Sequence, residues 1–501
     1  MLQRPRVTAP GAKQAERIAQ TSPRNAQSSR SGSGRKESGL KVITAADFGY
    51  PYRDAFPDGH VMAICRKHGV KHRNRIFPPE VVVNLWLAQI IAGGQSCSDA
   101  VARLSAYYAF KQSKISAGTG GYVQARQRLP LAVIKELVGS SARRLERECA
   151  DLRPIDRPVW TVDGTTSAAP DTESICESFP KSKQFKPGVG VPLTRYISIN
   201  SVTTGAILSL QLGAMSGKGT GEMSLFREGW LDLERDDVVV GDRAYCGYAT
   251  IALLRLQGVD SVFRRNVMLQ TASRPTVKQI ARNDRVVEID RGFPSNRTLP
   301  EQLWRMVPLK QLVRVIRYRP DSNGRDTKPV GLVSTLCSAA YTTADLAELY
   351  GMRWHAETDF RSFKVDLGAD KLRCQTPEMI EKELWMAALA NNVVRTYMVR
   401  AARYGEMTPR EVSFKRTMQF IDRYSAKFDQ AHLLDRGRLM TTMLGLISEQ
   451  RVGNRPDRHE PRGLKHLGAA YPTLKHPRNE ARHSKLYHGK DKKPYRRKRP
   501  N

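Results

Sequence analysis

A chain of 501 residues with 40% hydrophobic and 26% charged residues is too long for one ordinary domain and has a globular rather than a disordered composition. Its 82 Lys and Arg against 49 Asp and Glu leave a formal charge of +33, which points to a polyanionic partner and to nucleic acid first, because basic side chains that neutralise phosphates release counterions. No run approaches the roughly 18 apolar residues of a membrane span, no signal-peptide core opens the chain, and the seven scattered cysteines never take C-x-x-C spacing, so a reduced cytoplasmic protein is expected, with neither a disulfide framework nor a zinc ribbon.

Residues 1–40 are rich in Ser, Gly, Arg, Gln and Lys and bury too little apolar surface to repay ordering, so they read as a basic flexible arm. Residues 41–155 read as a helical N-terminal domain, with helical spacing in Val81, Val82, Leu85, Trp86, Ala88 and Ile90 and again in Val101 and Leu104. Residues 158–163, 193–202, 206–212 and 237–242 are short, β-branched and apolar and read as strands of one sheet. Residues 247–257 then read as a helix, and a further strand begins at Val259. The stretch 260–340 carries short β-prone runs at 312–318 and 330–335 without helical period and reads as a strand-rich insertion.

Thr342 or Thr343 opens a helix with Asp345 in its first turn, and an apolar period continues through Leu346, Leu349, Trp354 and Phe360 toward Leu367. Helices follow at 377–402 and 410–450. Residues 451–501 form a basic tail ending in the run Lys490 to Arg499. The fold class expected is α/β, interrupted by a strand-rich insertion and preceded by helices.

Three features carry chemistry. Asp163 follows an apolar strand and precedes Gly164-Thr165-Thr166, a predicted turn that exposes its carboxylate at the sheet's C-terminal edge, where ligands bind in open α/β sheets. Asp242 repeats the arrangement after Asp237-Val238-Val239-Val240-Gly241. A single strand-end Asp is usually a turn residue; two in one sheet leave a metal site and two structural turns about equally open. Tyr350, Arg353, Glu357 and Lys364 stand at successive offsets of 3, 4 and 7, which place all four on one helix face. Spacing alone also fits a solvated stripe with an Arg353–Glu357 ion pair.

The pattern Tyr-x2-Arg-x3-Glu-x6-Lys resembles the signature of the IS4 group of DDE transposases. Val162-Asp163-Gly164-Thr165 and Gly241-Asp242-Arg243-Ala244-Tyr245-Cys246 look like that family's blocks around its first and second Asp. Gly188-x-Gly190-x-Pro192-Leu193, Gly217 to Leu225 and Gln95-Ser96-Cys97 resemble further blocks. The resemblance spans about residues 80–485.

It implies an RNase H-like catalytic core over 156–259 and 341–450, with a β-strand insertion over 260–340. It also implies that Asp163, Asp242 and Glu357 are catalytic and bind two Mg2+ ions (or Mn2+), as suits crowded carboxylates and hard oxygen donors. Tyr350, Arg353 and Lys364 would contact DNA phosphates. The implied activity is cleavage of insertion-sequence ends and joining of the 3′-OH to target DNA, by a homodimer in the synaptic complex. A nuclease without strand transfer, or a non-catalytic DNA-binding descendant, are the alternatives.

The chain departs from the family at the last strand of the insertion. Relatives that form a DNA hairpin carry there a tryptophan that holds a flipped base, whereas Pro329 to Thr335 contains none; Trp304 lies earlier and reads as a packed aromatic. Of the neighbours of Glu357, His355 is not expected to share its face, since adjacent helix positions diverge by about 100°. Asp359 and Asp366 are set aside only because the resemblance selects Glu357. The histidines at 459, 466, 476, 483 and 488 lack zinc spacing and belong to the tail.

Overall fold

The central strands have apolar residues at consecutive positions, as in Val238-Val239-Val240, which suits a sheet covered on both faces. In the structure, a computed structural model, they form such a sheet. It describes residues 48–453 and Pro477, apart from 73–75, 95, 182–189, 218, 293–298 and 321–327. The expected arm (1–40), nearly all of the tail, Gly188, Gln95, Lys218 and the five tail histidines lie outside the described residues.

The strands are β1 (Val159–Ala168), β2 (Leu193–Ser201), β3 (Ile207–Ala214), β4 (Val238–Gly241), β5 (Asp260–Arg264), β6 (Thr276–Ala281), β7 (Asp284–Asp290), β8 (Lys310–Tyr318) and β9 (Val330–Ser334). They make one sheet in the order β3-β2-β1-β4-β5-β9-β8-β7-β6. β1, β2 and β3 run antiparallel, while β4 and β5 run parallel to β1. The crossover into β4 carries the helix Glu222–Gly229 and that into β5 the helix Tyr248–Leu256. β9 pairs antiparallel with β5, and β8, β7 and β6 extend that edge, each antiparallel to its neighbour. Within 260–340, the first strand therefore belongs to the parallel part of the sheet, and the added strands begin after Arg264.

Alternation along the strands sends side chains to two apolar layers. Trp160, Val162, Val239, Phe263 and Val333 join Leu145, Phe226, Ile251 and Leu254 from helices on one face. Val159, Val238, Val240, Val262 and Leu332 join Leu346 and Leu349 on the other. Each such side chain, fully buried, contributes roughly 1.5–3 kcal/mol.

The helix Pro79–Ile91 is buried nearly all round. It touches the helices Cys97–Phe110, Pro377–Tyr404 and Phe414–Gln430, so its apolar residues exceed a single stripe. The long helix Pro377–Tyr404 is bound to the sheet through two buried amides. Asn392 accepts from Ile207 N (2.7 Å) and donates to Ile207 O (2.8 Å) and Val138 O (3.1 Å), while Asn391 donates to Gly205 O at 3.1 Å. Buried amides satisfied this fully fix register as well as contributing energy.

The seven cysteines are free thiols, with Cys65, Cys149 and Cys246 buried and the rest partly so. Among the described residues no helix is long and apolar enough to cross a membrane.

Candidate active site

Asp163 does not end its strand. β1 continues to Ala168, paired with β2 through Asp163↔Ser198 and Thr165↔Tyr196, because the β-branched Thr165 and Thr166 suit a ladder better than the turn expected from Gly164. The carboxylate is reached for a different reason. The parallel ladder between β1 and β4 covers only Val159–Thr161 against Val238–Val240, so β1 has no β4 partner from Val162 onward. Asp242 follows directly after β4. Asp163, midway along β1, and Asp242, just past the C-terminal end of β4, thus stand where two adjacent parallel strands stop pairing. Gly241 is crowded there: a Cβ would come within 3.0 Å of Val162 and 3.1 Å of Phe263, so those side chains would have to give by a few tenths of an ångström.

Each aspartate uses one oxygen on nearby backbone. Asp163 Oδ1 accepts from Gly164 N at 2.8 Å and Asp242 Oδ1 from Ala244 N at 2.7 Å. Burial pushes the Asp163 carboxyl above the usual carboxylate range. The Gly164 amide and the Arg353 guanidinium pull it back, and Asp242 and Glu222 add to the rise.

The Tyr350–Lys364 segment is not one regular helix. The helix Thr343–Gly351, opened by a Thr342–Asp345 capping box, gives way to a 3-10 turn at Met352–Trp354, the helix His355–Arg361 and a π turn at Ser362–Asp366. These changes of pitch redirect the expected face. Arg353 stands between two carboxylates, with Nη1 3.7 Å from Asp163 Oδ2 and Nη2 3.6 Å from Glu357 Oε1. Lys364 donates to Thr165 Oγ1 at 3.2 Å, two residues beyond Asp163. Tyr350 is half-buried against the apolar layer of Leu346 and Leu349, beside Tyr318, and is not drawn to the carboxylates. Trp354, expected on the apolar period, is 61% exposed because the 3-10 turn swings it outward. Trp304 packs on the core beneath Arg291, whose guanidinium lies 5.1 Å from its ring centre.

The neighbouring acids and His355 face elsewhere. Asp359 is buried, its Oδ1 accepting from Arg395 Nη2 (2.7 Å) and Arg410 Nη1 (2.6 Å), and Arg410 also donates to Ser201 O and Val202 O. Burial first, then Arg410, pulls His355 down to about 4, so its ring is neutral. Asp366 is half-buried, with its carboxyl pushed up by burial.

One acidic side chain was not selected from sequence. Glu222 lies against Gly164, where a Cβ would stand 2.7 Å from Glu222 Cδ; the only signal was its place in the Gly217–Leu225 block. Among the described residues, no three His, Cys, Asp or Glu side chains are grouped tightly enough to enclose a metal ion as placed.

Two comparisons bear on this geometry. Residues 155–393 match the family described as Transposase DDE domain, a span that contains Asp163, Asp242, Glu357 and Glu222. The chain is also 22% identical over 360 residues, 70% of its length and 77% of the relative's, to the transposase InsG for insertion sequence element IS4 of Escherichia coli (strain K12). Residues 155–393 are thus similar to the Transposase DDE domain, and the chain over 70% of its length to a transposase of insertion sequence element IS4.

Proposed function

We propose that the chain binds the ends of an insertion sequence, hydrolyses the phosphodiester at each end and joins the freed 3′-OH to target DNA. The observation that supports this most is the meeting of Asp163 and Glu357 across Arg353, beside Asp242, where β1 and β4 stop pairing. Asp163, Asp242 and Glu357 are the residues that would hold Mg2+ or Mn2+, two ions per site. The donor set suits the group: all are hard carboxylate oxygens, and Asp163 is a partly buried acid with acidic neighbours, whose charged form a divalent cation would favour. Bound there, the metal supplies activation of the attacking oxygen and stabilisation of the leaving one.

The protein's own groups do the rest. Arg353 bridges Asp163 and Glu357 in the free chain, offsetting one of their two charges, and its planar fork is suited to take a DNA phosphate instead. Lys364, on the Thr165 side of Asp163, and Tyr350 complete the phosphate contacts. In cleavage, water attacks phosphorus and the P–O3′ bond breaks, leaving a 3′-OH. In joining, that hydroxyl attacks a target phosphodiester in the same pocket, forming a new P–O bond as the target's P–O3′ bond breaks and the target's 3′-oxygen leaves as a hydroxyl. Residues 41–155 serve end recognition, 156–264 and 341–450 the RNase H-like core, and the strands after Arg264 the insertion. A homodimer brings two ends together, acting on DNA in the cytoplasm.

The test supplies full-length protein with Mg2+ and a pre-cut labelled end plus a plasmid. Joined product is expected, and Glu357→Gln should lower both cleavage and joining by several orders of magnitude. Hydrolysis without joining would make the protein a nuclease; cleavage untouched by Glu357→Gln would remove the catalytic assignment.

A further inference from the structure

The helix Glu222–Gly229 packs on β2 and β3, yet its first side chain reaches to β1. A Cβ on Gly164 would stand 2.7 Å from Glu222 Cδ, 2.8 Å from Oε1 and 2.9 Å from Cγ. The carboxylate therefore lies on the backbone next to Asp163, in space that any larger residue at 164 would fill. Glutamate in a first helical turn is ordinarily there for the helix dipole, but no side-chain capping bond is made at this helix. The side chain is turned toward another acid instead.

A second observation concerns Tyr245, three residues beyond Asp242. It is fully buried, and its hydroxyl has no hydrogen-bond partner, which costs roughly 1–3 kcal/mol. Phe226, from the same helix as Glu222, holds the ring edge-on at 5.2 Å and 78°. Burial, followed by Glu222, Asp163 and Asp242, keeps the phenol protonated, so its oxygen sits in the field of all three carboxylates. The three acids do not close around a point as placed, but carboxylates that share one neighbourhood repel each other, and a cation drawing them together relieves that repulsion.

We infer that Glu222 is a fourth oxygen donor to the divalent cation held at Asp163 and Asp242, and that the Tyr245 hydroxyl faces that same cation site. The inference rests on reading Asp163 and Asp242 as cation ligands. Hard carboxylate donors select Mg2+ or Mn2+ over softer metals.

Mn2+ binding to the full-length protein, counted from the EPR signal of free Mn2+, separates the possibilities. Glu222→Gln should weaken Mn2+ binding on the order of tenfold, the low end of what loss of one supporting group costs a metal site, and Asp163→Asn should weaken it further. In EDTA, Glu222→Gln should melt at or above the wild-type temperature, since one like charge is removed, while the rise in melting temperature on adding Mn2+ should shrink. Glu222→Asp, which keeps the charge but withdraws it by one methylene, should also bind Mn2+ more weakly. Wild-type Mn2+ affinity in both Glu222 variants, with Asp163→Asn impaired, would overturn the role of Glu222 and leave the catalytic reading standing. Wild-type affinity in Asp163→Asn and Asp242→Asn would overturn that reading itself.

Discussion

Glu357 and Asp359 stand two positions apart on one short helix and face opposite ways, which is what gives each its chemistry. Asp359, with a side chain only 3% exposed, is held between Arg395 and Arg410, so it anchors the turn that presents Glu357 at 44% exposure to the site. Asp429 shows the other way to bury an acid. It accepts a hydrogen bond from Gly49 N at 2.8 Å, and burial, offset only in part by backbone bonds from Gly49 and Tyr50 and by Arg436 and Arg103, pushes it up to about 6 from an ordinary 3.8. The native state then holds its proton where the unfolded chain has released it. Stability from this group is full below pH 3.8, falls as pH rises to about 6, and stays lower above. The difference is on the order of 3 kcal/mol. Urea unfolding at pH 4 and pH 7 should show this decline in wild type and a smaller one in Asp429→Asn; an equal decline in both would show that other groups cause it.

The added strands are tied to the helix Thr343–Gly351 through a buried pair. Arg314 on β8 and Asp284 on β7 are both fully buried. Arg314 Nε donates to Asp284 Oδ1 at 2.7 Å, and Nη1 donates to the carbonyls of Leu336 (3.2 Å), Ser338 (3.0 Å) and Tyr341 (2.7 Å). Thr343, the first residue of the helix leading to Tyr350, donates to Asp284 Oδ2 at 2.6 Å. Arg314→Met leaves Asp284 buried without its cation and should cost about 3–5 kcal/mol. Hydrogen exchange at the amides of 343–351 should accelerate first. If the loss of stability came without faster exchange there, the pair would support the strands alone.

None of this clamp was legible in the sequence, because Arg314 lies within Leu312 to Tyr318, where it reads as an outward polar residue, and its partner is 30 positions away. The strand-end acid Asp242 was legible, since Val238-Val239-Val240-Gly241-Asp242 announces a buried strand and its end. The course of β1 past Asp163 was not: Gly164 signals a turn locally, while the strand runs through it paired with Ile197, and Glu222 lies against it. The helix from Thr342 was legible from its capping box, but its breaks at Met352 and Ser362 were not, because pitch changes are set by tertiary partners such as Asp359.

At the scale of the whole chain, a formal charge of +33 favours association with a polyanion such as DNA. Basic groups that neutralise phosphates release counterions, so each contact steepens the fall of binding with salt by roughly 0.9 in the log–log slope. Residues 485–501 carry eight Lys and Arg (Lys485, Lys490, Lys492, Lys493, Arg496, Arg497, Lys498 and Arg499) against the single Asp491. Deleting them should weaken binding to unrelated DNA and flatten its salt dependence, by a slope change equal to about 0.9 times the number of phosphates this tail neutralises. The deletion should leave the melting temperature unchanged, because both core layers lie upstream. The check is a filter-binding series on random-sequence duplex between 50 and 200 mM salt, about the range over which such contacts change affinity by orders of magnitude. An unchanged slope in the truncated protein would mean that the phosphate contacts are made elsewhere on the chain, with Arg353 and Lys364 the first to examine.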